Sequence, residues 1–443
     1  MDVAVVGGGV TGLAATHYLA ERGVDAVAFE ATDQPGGVIR SRRIDGHVVE
    51  VGPQRMRRTP AVDDLIEAVG LADDVVEAGN APLFVYADGR LREAPLDLET
   101  FLRTDLLSWR GKLRLLAEPL TRHGYPQESV AGLFARKFGR EAYERFIGPL
   151  YGGIYGSDPA AMPAAYALES LLEREREAGS FLLAFRKRVG QGRSSPPISF
   201  AEGNQQLPEA LSEAHADRVE LGTPVTDVRP AGAAAGREAR AAAAAADGGS
   251  RYLVEVDRAG TVDTHEVDHV VVTTPADATA RLLEGTAPDA GRLASLTYNP
   301  LAVVHLTADS RRDGFGYQVG FGEDLHTLGV SWNDSMFGRD GLYTAFLGGM
   351  HEPGMVDRGE AEIGTIAREE FETVMGCKAE VLNVSTRERW FPAWDHTWDA
   401  LAGFETPPGV HVATNYTGRM GVPSRVREAR EVAERVAGSL RTR

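Results

Sequence analysis

Three glycines, Gly7, Gly9 and Gly12, stand between a short apolar run and a helical pattern near the start of the chain. The apolar run is DVAVV, and the helical pattern LAATHYLAERG ends at Gly23. In GxGxxG after a strand, the first glycine permits a tight turn, the second lets the backbone approach a pyrophosphate, and the third lets helix pack on strand. The sequence therefore predicts dinucleotide phosphates at the positive end of this helix.

A second strand pattern, VDAVAFE, ends in Glu30, which lies eighteen residues beyond Gly12. A carboxylate at this place accepts hydrogen bonds from ribose hydroxyls and would repel a 2′-phosphate. The alternative is a glycine-rich turn in an unrelated α/β fold, but strand, helix and acid all stand in the expected order. The motif does not choose between NAD and FAD.

The following segment, residues 31–55, carries Gly36 and Gly37, then Arg40, then Gly52 and Pro53. These residues resemble the flavin-containing amine oxidase superfamily, which includes porphyrinogen oxidases and carotenoid desaturases. The resemblance implies that the glycine pair and the arginine bind the phosphates of FAD and that the Gly-Pro pair lies by the isoalloxazine ring. It also implies a non-covalent cofactor, because Cys377 lies well before the segment that carries the attaching cysteine in many amine oxidases.

Two later segments extend this resemblance. The resemblance implies that the backbone of a valine after the returning strand, here Val225, meets the adenine, and that a glycine-rich turn before the last helix faces the pyrimidine edge of the flavin. The dipole of that helix would stabilise negative charge on the reduced flavin. Trp390 is a further candidate for a flavin contact, with a plain core role as its alternative. The residues expected at the cofactor are Gly7, Gly8, Gly9, Thr11, Gly12, Glu30, Ala31, Gly36, Gly37, Arg40, Gly52, Pro53, Gln54, Val225, Trp390, Met420, Gly421 and Val422.

Length and pattern predict two interleaved units, because 443 residues exceed one ordinary core. Residues 76–200 are mainly helical in pattern, strands return between 219 and 280, and further strands follow from 296. We predict the α/β class: a discontinuous Rossmann-like FAD-binding domain and an inserted α+β substrate-binding domain. The first comprises residues 1–75, 201–290 and 396–443, and the second comprises 76–200 and 291–395. The alanine- and glycine-rich stretch 231–249 is expected to be an exposed loop or short helix.

The stretch FIGPLYGGIYGSDP, residues 146–159, combines glycines with tyrosines. Alone it is typical of a capped helix and tight turn at a domain interface. Residues 129–171 as a whole resemble protoporphyrinogen and coproporphyrinogen oxidases, with a helix, an aromatic glycine turn, an Asp-Pro pair and another helix. The resemblance implies one side of a slot for a flat ring system. The expected substrate residues are Tyr151, Gly153 and Tyr155, with Arg90 as a candidate partner for a propionate.

That resemblance implies a six-electron oxidation of protoporphyrinogen IX or coproporphyrinogen III to the porphyrin in haem synthesis. Hydride would pass to flavin N5, with oxygen or a quinone as final acceptor, and no catalytic side chain is expected. An amine oxidase is disfavoured because LAVVHLTA lacks the lysine that such enzymes carry on this strand. A carotenoid desaturase stays open, as does a non-enzymatic carrier of flavin or tetrapyrrole.

The net charge of −17 makes nucleic acid an unexpected partner, since a polyanion would be repelled. The only lysines are Lys112, Lys137, Lys187 and Lys378, and an acidic, lysine-poor surface suggests a salt-rich cytoplasm. The lone Cys377 predicts neither a disulfide nor a metal site. No signal peptide and no membrane span are expected. The apolar residues of 97–120 are expected to face the core or a substrate chamber rather than a membrane.

The acidic composition generates a prediction about salt. The melting temperature should rise when KCl increases from about 0.1 M to about 2 M, because screening shortens the Debye length from about 10 Å to a few ångströms and weakens carboxylate repulsion. Thermal unfolding followed by circular dichroism measures this, with an equal concentration range of a neutral osmolyte as the control. Equal stability without added salt would contradict the salt-rich habitat.

Overall fold

The structure is a computed structural model, and it describes residues 1–79, 81–189, 195–232, 251–310, 312–418 and 420–442. Most of the alanine- and glycine-rich stretch 231–249 therefore lies outside the described residues. The strands in chain order are β1 (Val3–Val6), β2 (Ala26–Phe29), β3 (Ser41–Ile44), β4 (His47–Glu50), β5 (Met56–Arg57), β6 (Val75–Glu77), β7 (Leu83–Ala87), β8 (Arg90–Glu93), β9 (Pro197–Phe200), β10 (Val219–Glu220), β11 (Val225–Pro230), β12 (Tyr252–Arg258), β13 (Thr261–Val267), β14 (His269–Val272), β15 (Leu301–Ala308), β16 (Gly316–Val319), β17 (Thr327–Trp332), β18 (Leu342–Gly348), β19 (Ala379–Arg387) and β20 (Val410–Val412).

Helices occur throughout the chain, most densely between the strands β8 and β9. In chain order they are α1 (Val10–Glu21), α2 (Pro60–Ala68), α3 (Leu98–Arg103), α4 (Trp109–Leu116), α5 (Val130–Phe138), α6 (Arg140–Ala142), α7 (Gly148–Tyr155), α8 (Ala164–Ala167), α9 (Glu169–Ala178), α10 (Phe181–Val189), α11 (Gln206–Ala214), α12 (Ala276–Leu283), α13 (Asn333–Phe337), α14 (Glu360–Met375) and α15 (Val422–Arg441).

A parallel sheet forms the nucleotide end of the fold, with strands in the order β10-β2-β1-β14-β20. Its central strand β1 is buried on both faces, which explains its unbroken run of valine and alanine. Helix α1 is apolar nearly all round because it lies between this sheet and the last helix, α15. The antiparallel sheet β11-β12-β13 packs on the opposite face of the parallel sheet. The predicted α/β class is confirmed.

A mixed sheet forms the second unit, in the order β19-β15-β18-β17-β16-β7-β8. Helix α14 covers one of its faces and shares an apolar core with β15 and β18. All seven strands fall within the ranges predicted for the substrate-binding domain. A small sheet, β5-β9-β6, crosses the predicted boundary, because β9 pairs with both the other strands. The division into domains stays a prediction.

The helices α3–α10 supply most of a separate core of aromatic and aliphatic side chains, to which Trp394, Trp398 and Tyr416 also belong. Phe101 and Leu106 are buried, as the sequence predicts. The prediction is wrong for Leu102, Trp109, Leu113 and Leu116, which are exposed. These helices are short and amphipathic. One face of each helix covers the core, and the other face is exposed.

A buried ion cluster ties this helical unit together. Lys137, with no exposed surface, lies 2.8 Å from an oxygen of Glu118 and also contacts Glu175, and both carboxylates are buried. Glu118 accepts the backbone N–H groups of Phe181 and Leu182, at 3.1 Å each, at the start of α10. The cation thus joins three helical segments, because each carboxylate also binds backbone from another segment.

Replacing the cation tests this cluster. Lys137→Met should lower the free energy of unfolding by about 3–5 kcal/mol, because two carboxylates would remain buried without their cation. Urea denaturation followed by circular dichroism measures it. The matched control is Lys378→Met, since Lys378 pairs with Glu372 but is 93% exposed. Equal effects of the two substitutions would contradict a structural role for the buried cation.

Candidate functional site

The first glycine motif forms a tight turn between β1 and α1. Gly7 has φ +109°, and its N–H donates to the carbonyl of Phe29 at 2.8 Å. A Cβ on Gly12 would lie 1.9 Å from the carbonyl oxygen of Gly7, so no side chain fits there. Among the described residues, no side chain caps α1 at Gly9. The first-turn N–H groups, including that of the buried Thr11, are therefore free of a capping side chain, as a phosphate site requires.

The second glycine motif lies directly against the first. The N–H of Gly36 donates to the carbonyl of Gly8 at 2.8 Å, and a Cβ on Gly37 would lie 3.3 Å from the Cα of Gly9. Both Gly36 and Gly37 have positive φ. The structure thus brings together two segments that the sequence separates by about thirty residues and builds from them a backbone cradle that Cβ atoms would fill. This cradle fits the phosphates of a dinucleotide.

Glu30 closes one end of this cradle, just after β2. One carboxylate oxygen accepts the N–H of Gly8 at 2.6 Å, and the other accepts the N–H of Thr32 at 2.9 Å. The carbonyl of Glu30 accepts the N–H of Thr223, at 2.8 Å, which brings the start of β11 and Val225 to the same end. The exposed Ala31 follows directly. Glu30, Ala31 and Val225 are therefore neighbours of the glycine cradle.

Arg40, which the sequence places at the phosphates, contacts backbone carbonyls of the neighbouring loop in this structure. Its guanidinium donates to the carbonyls of Pro35 and Gln34, the latter at 3.2 Å, in the loop that precedes the glycine pair. These bonds brace the outer side of the loop. The phosphate role of Arg40 stays a prediction.

The turn Glu50–Gln54 is fixed through its backbone. A Cβ on Gly52 would lie 2.1 Å from the carbonyl of Val38, and the side-chain amide of Asn204 donates to the carbonyl of Pro53 at 2.8 Å. The buried Gln54 donates through Nε2 to the carbonyl of Glu50 at 2.8 Å. These hydrogen bonds and contacts all involve backbone carbonyls, so they fix the course of the turn. A turn with a fixed backbone is suited to supporting a flat ring.

Sequence reasoning missed the group that anchors this turn, the carboxylate of Glu50. It has no exposed surface and lies 2.8 Å from Arg339, while Ser41 Oγ donates to it at 2.6 Å and the N–H of Asn204 at 3.0 Å. An acid at the end of a strand, two residues before Gly-Pro, is the local signal that could have indicated it. The arginine partner has no local signal, because it belongs to the other sheet unit.

The C-terminal turn lies between two cores. Gly421, with φ +101°, precedes α15, and Val422 enters the core shared with α1. Met420 packs on the aromatic core of the helical unit. Trp390 is buried with Leu301 in a small cluster beside β15. The structure agrees with a core role for Trp390, and a flavin contact of these residues stays a prediction.

The glycine stretch is a helix rather than the turn expected from the sequence. Residues Tyr143–Ile147 form a π-helical turn, and α7 follows with Gly148, Gly152 and Gly153 on the side of the mixed sheet. A Cβ on Gly148 would lie 2.6 Å from the ring of Phe321, and one on Gly153 would lie 1.8 Å from Gln318 Oε1. The glycines thus permit close packing of helix on sheet.

The predicted substrate residues are placed as follows. The ring of Tyr151 packs edge-on against Phe134 at 4.9 Å, inside the helical core. Gly153 borders a cavity of about 420 Å³ that is lined also by aromatic and acidic side chains. Arg90 is paired with Asp105 at 2.6 Å and is 64% exposed. The side chain of Tyr155 lies outside the described residues. The substrate roles of these four residues stay predictions.

Comparisons with known proteins agree with this geometry. A model of the family described as flavin containing amine oxidoreductase matches residues 10–437. The chain is 26% identical to protoporphyrinogen oxidase 1 of Spinacia oleracea, over 82% of this chain and 69% of that protein. It is 30% identical to coproporphyrinogen III oxidase of Staphylococcus aureus, over 48% of this chain and 51% of that protein. A crystal structure assigned to a protoporphyrinogen oxidase from Exiguobacterium sp. has a TM-score of 0.77 at 23% identity, covering 98% of both chains.

The ribose role of Glu30 can be tested directly. Glu30→Ala should weaken FAD binding about ten- to a hundredfold, because hydrogen bonds to a carboxylate contribute about 1.5–3 kcal/mol. The ratio of flavin to protein absorbance after desalting measures this, and circular dichroism checks the fold. Glu67→Ala, at an exposed position on α2, is the matched control. Unchanged flavin content in Glu30→Ala would count against the ribose contact.

Proposed function

Because this chain belongs to the flavin-containing amine oxidoreductase family, we propose that it is a porphyrinogen oxidase of haem synthesis. Membership confirms the predicted oxidoreductase class and the predicted cofactor, FAD. The proposal for the substrate rests on one observation: curated relatives named protoporphyrinogen oxidase match the chain over most of its length. Relatives named coproporphyrinogen III oxidase match 48% of it in one case and 85% in another. Both porphyrinogens are therefore candidate substrates.

The reaction removes six electrons and six protons from the porphyrinogen to give the porphyrin. When bound, FAD supplies the redox chemistry by accepting three successive hydride equivalents at N5. Oxygen or a quinone would take up the electrons after each transfer. The residues of this chain then need only bind FAD, hold the substrate beside it and exclude water. The backbone cradle and the turn Glu50–Gln54 serve the first of these tasks.

The runner-up is another dehydrogenase of the same family, such as a carotenoid desaturase or an amine oxidase. Strand β15 carries no lysine, and its one histidine, His305, is buried. The one cysteine, Cys377, lies between α14 and β19, before the C-terminal turn. Both observations count against an amine oxidase.

Purified protein distinguishes these functions. Under anaerobic conditions, protoporphyrinogen or coproporphyrinogen should bleach the flavin absorbance, and in air porphyrin fluorescence should rise faster than autoxidation. The faster of the two substrates identifies the preferred one. The control is the same protein after removal of FAD, which should give only the autoxidation rate. Bound FAD that neither porphyrinogen reduces would contradict the proposal and favour a carrier or another substrate class.

An apolar stripe on the helical unit suggests where the protein works. In the described part of the chain, no helix is long and apolar enough to cross a membrane. Trp109, Leu113, Leu116 and Leu120, which we call the apolar stripe, are 71%, 67%, 53% and 90% exposed. Their spacing places them on one face of α4 and the turn that follows. The opposite face, with Leu115, is buried.

Charge around the stripe indicates its partner. Arg110 follows Trp109 directly in the chain and Arg122 lies two residues after Leu120, and both are exposed, on a chain whose net charge is −17. Exposed tryptophan and leucine with a basic border are typical of helices that lie on anionic lipid. We propose that the protein acts in the cytoplasm with the apolar stripe resting on a membrane surface.

Vesicles test this contact. The protein should sediment with vesicles that contain phosphatidylglycerol and much less with pure phosphatidylcholine, because the basic border adds to the apolar insertion. Trp109→Ser with Leu113→Ser should abolish sedimentation, while Val262→Ser with Val381→Ser, at exposed positions on β13 and β19, should not. No sedimentation of the parent protein would contradict the proposal. A dimer that the first pair of substitutions dissociates would instead assign the stripe to a second copy.

A further inference from the structure

A buried histidine of the mixed sheet contacts the turn Glu50–Gln54. His305, on β15, has no exposed surface, and its Nε2 lies 3.1 Å from the carbonyl oxygen of Glu50. Its Nδ1 lies 3.3 Å from the side-chain nitrogen of Asn383 on β19. An amide nitrogen can only donate, so Nδ1 accepts and the proton stays on Nε2. The imidazole therefore donates to Glu50.

The surroundings keep this donor uncharged. Burial is the main cause that lowers the pKa of His305 to about 4; the hydrogen bond to Glu50 opposes this shift, and the nearby positive charge of Arg339 contributes to it. At neutral pH the ring is thus a neutral Nε2–H donor of fixed tautomer. The side-chain nitrogen of Asn383 is itself held at 3.0 Å from Ser385 Oγ, so the ring is oriented by residues of its own sheet.

The acceptor of this hydrogen bond is the backbone carbonyl of Glu50, at the start of the turn Glu50–Gln54. The carbonyl of Glu50 receives one hydrogen bond from His305 and one from Gln54, which lies at the other end of the same turn. His305 comes from the mixed sheet, whereas Glu50 ends the hairpin β3–β4. This hydrogen bond therefore sets the distance between the mixed sheet and the backbone of Gly52 and Pro53.

We propose that His305 is a positioning residue for the flavin, because it holds the carbonyl of Glu50 and through it the Gly52–Pro53 backbone beside the isoalloxazine ring. The proposal rests on the FAD site described above, and it is independent of which substrate is oxidised. Backbone dipoles beside a flavin tune its electron affinity. Loss of this hydrogen bond should change both the retention of FAD and its reduction potential.

Two substitutions separate the hydrogen bond from packing. His305→Gln keeps a nitrogen that can donate to Glu50 and an oxygen that can accept from Asn383, whereas His305→Leu keeps volume and loses both. The leucine variant should bind FAD about tenfold more weakly, as expected for one lost buried hydrogen bond, and its reduction potential should shift. The glutamine variant should restore both values toward those of the parent. Titration of the FAD-free protein and dye-coupled potentiometry measure them.

Circular dichroism and the melting temperature of each variant monitor the fold. If His305→Leu does not fold, His305→Asn, whose side chain is too short to reach Glu50, takes its place. A leucine variant with parental FAD affinity and potential, and only a lower melting temperature, would reduce His305 to a packing role and overturn the proposal. A glutamine variant as impaired as the leucine variant would overturn it too. Neither readout uses a porphyrinogen, so failure of the proposed substrate would leave this result interpretable.

Discussion

The buried carboxylate of Glu50 is the constraint on which the site depends. A buried anion is tolerated only when it is paired and fully hydrogen-bonded, since desolvation alone costs several kcal/mol. Its partners come from four places: Ser41 on the same hairpin, Ser199 on β9, the N–H of Asn204 before α11, and Arg339 from the loop before β18. Satisfying this one charge therefore brings the nucleotide end and the mixed sheet together at Gly52 and Pro53.

The cradle beside this turn depends on a different constraint, the absence of side chains. Gly12 packs on the carbonyl of Gly7 at a separation that no Cβ would permit, and Gly37 packs on Gly9 so closely that a Cβ there would displace its neighbour. Backbone N–H groups and a helix dipole can then face an anion without a positively charged side chain. This explains how a chain with a large negative net charge can still offer a place for phosphates.

The glycine motifs belong to the nucleotide end of the fold, and the helical unit α3–α10 has a core of its own. Its core is stabilised by the buried cation of Lys137, and its outer face carries the apolar stripe. The glycines of helix α7 pack so closely against the mixed sheet that a side chain there would clash with Phe321 or Gln318. Such an arrangement can vary in its loops and surfaces without disturbing the cofactor end, which is why the fold identifies FAD more readily than the substrate.

The sequence by itself determined the local elements: the strand, glycine turn, helix and acid around Gly7 to Glu30, and the strand patterns of both sheets. These follow from periodicity and turn chemistry, which act between near neighbours. Only the tertiary structure decided the partner of Glu50, which is 289 residues away, and the contact of His305 with the same residue, 255 residues away. Trp109 and Leu113 are exposed in the tertiary structure, although their helical spacing is equally compatible with burial. Amphipathic periodicity shows that a helix has two faces, but which face meets the core depends on how distant segments pack.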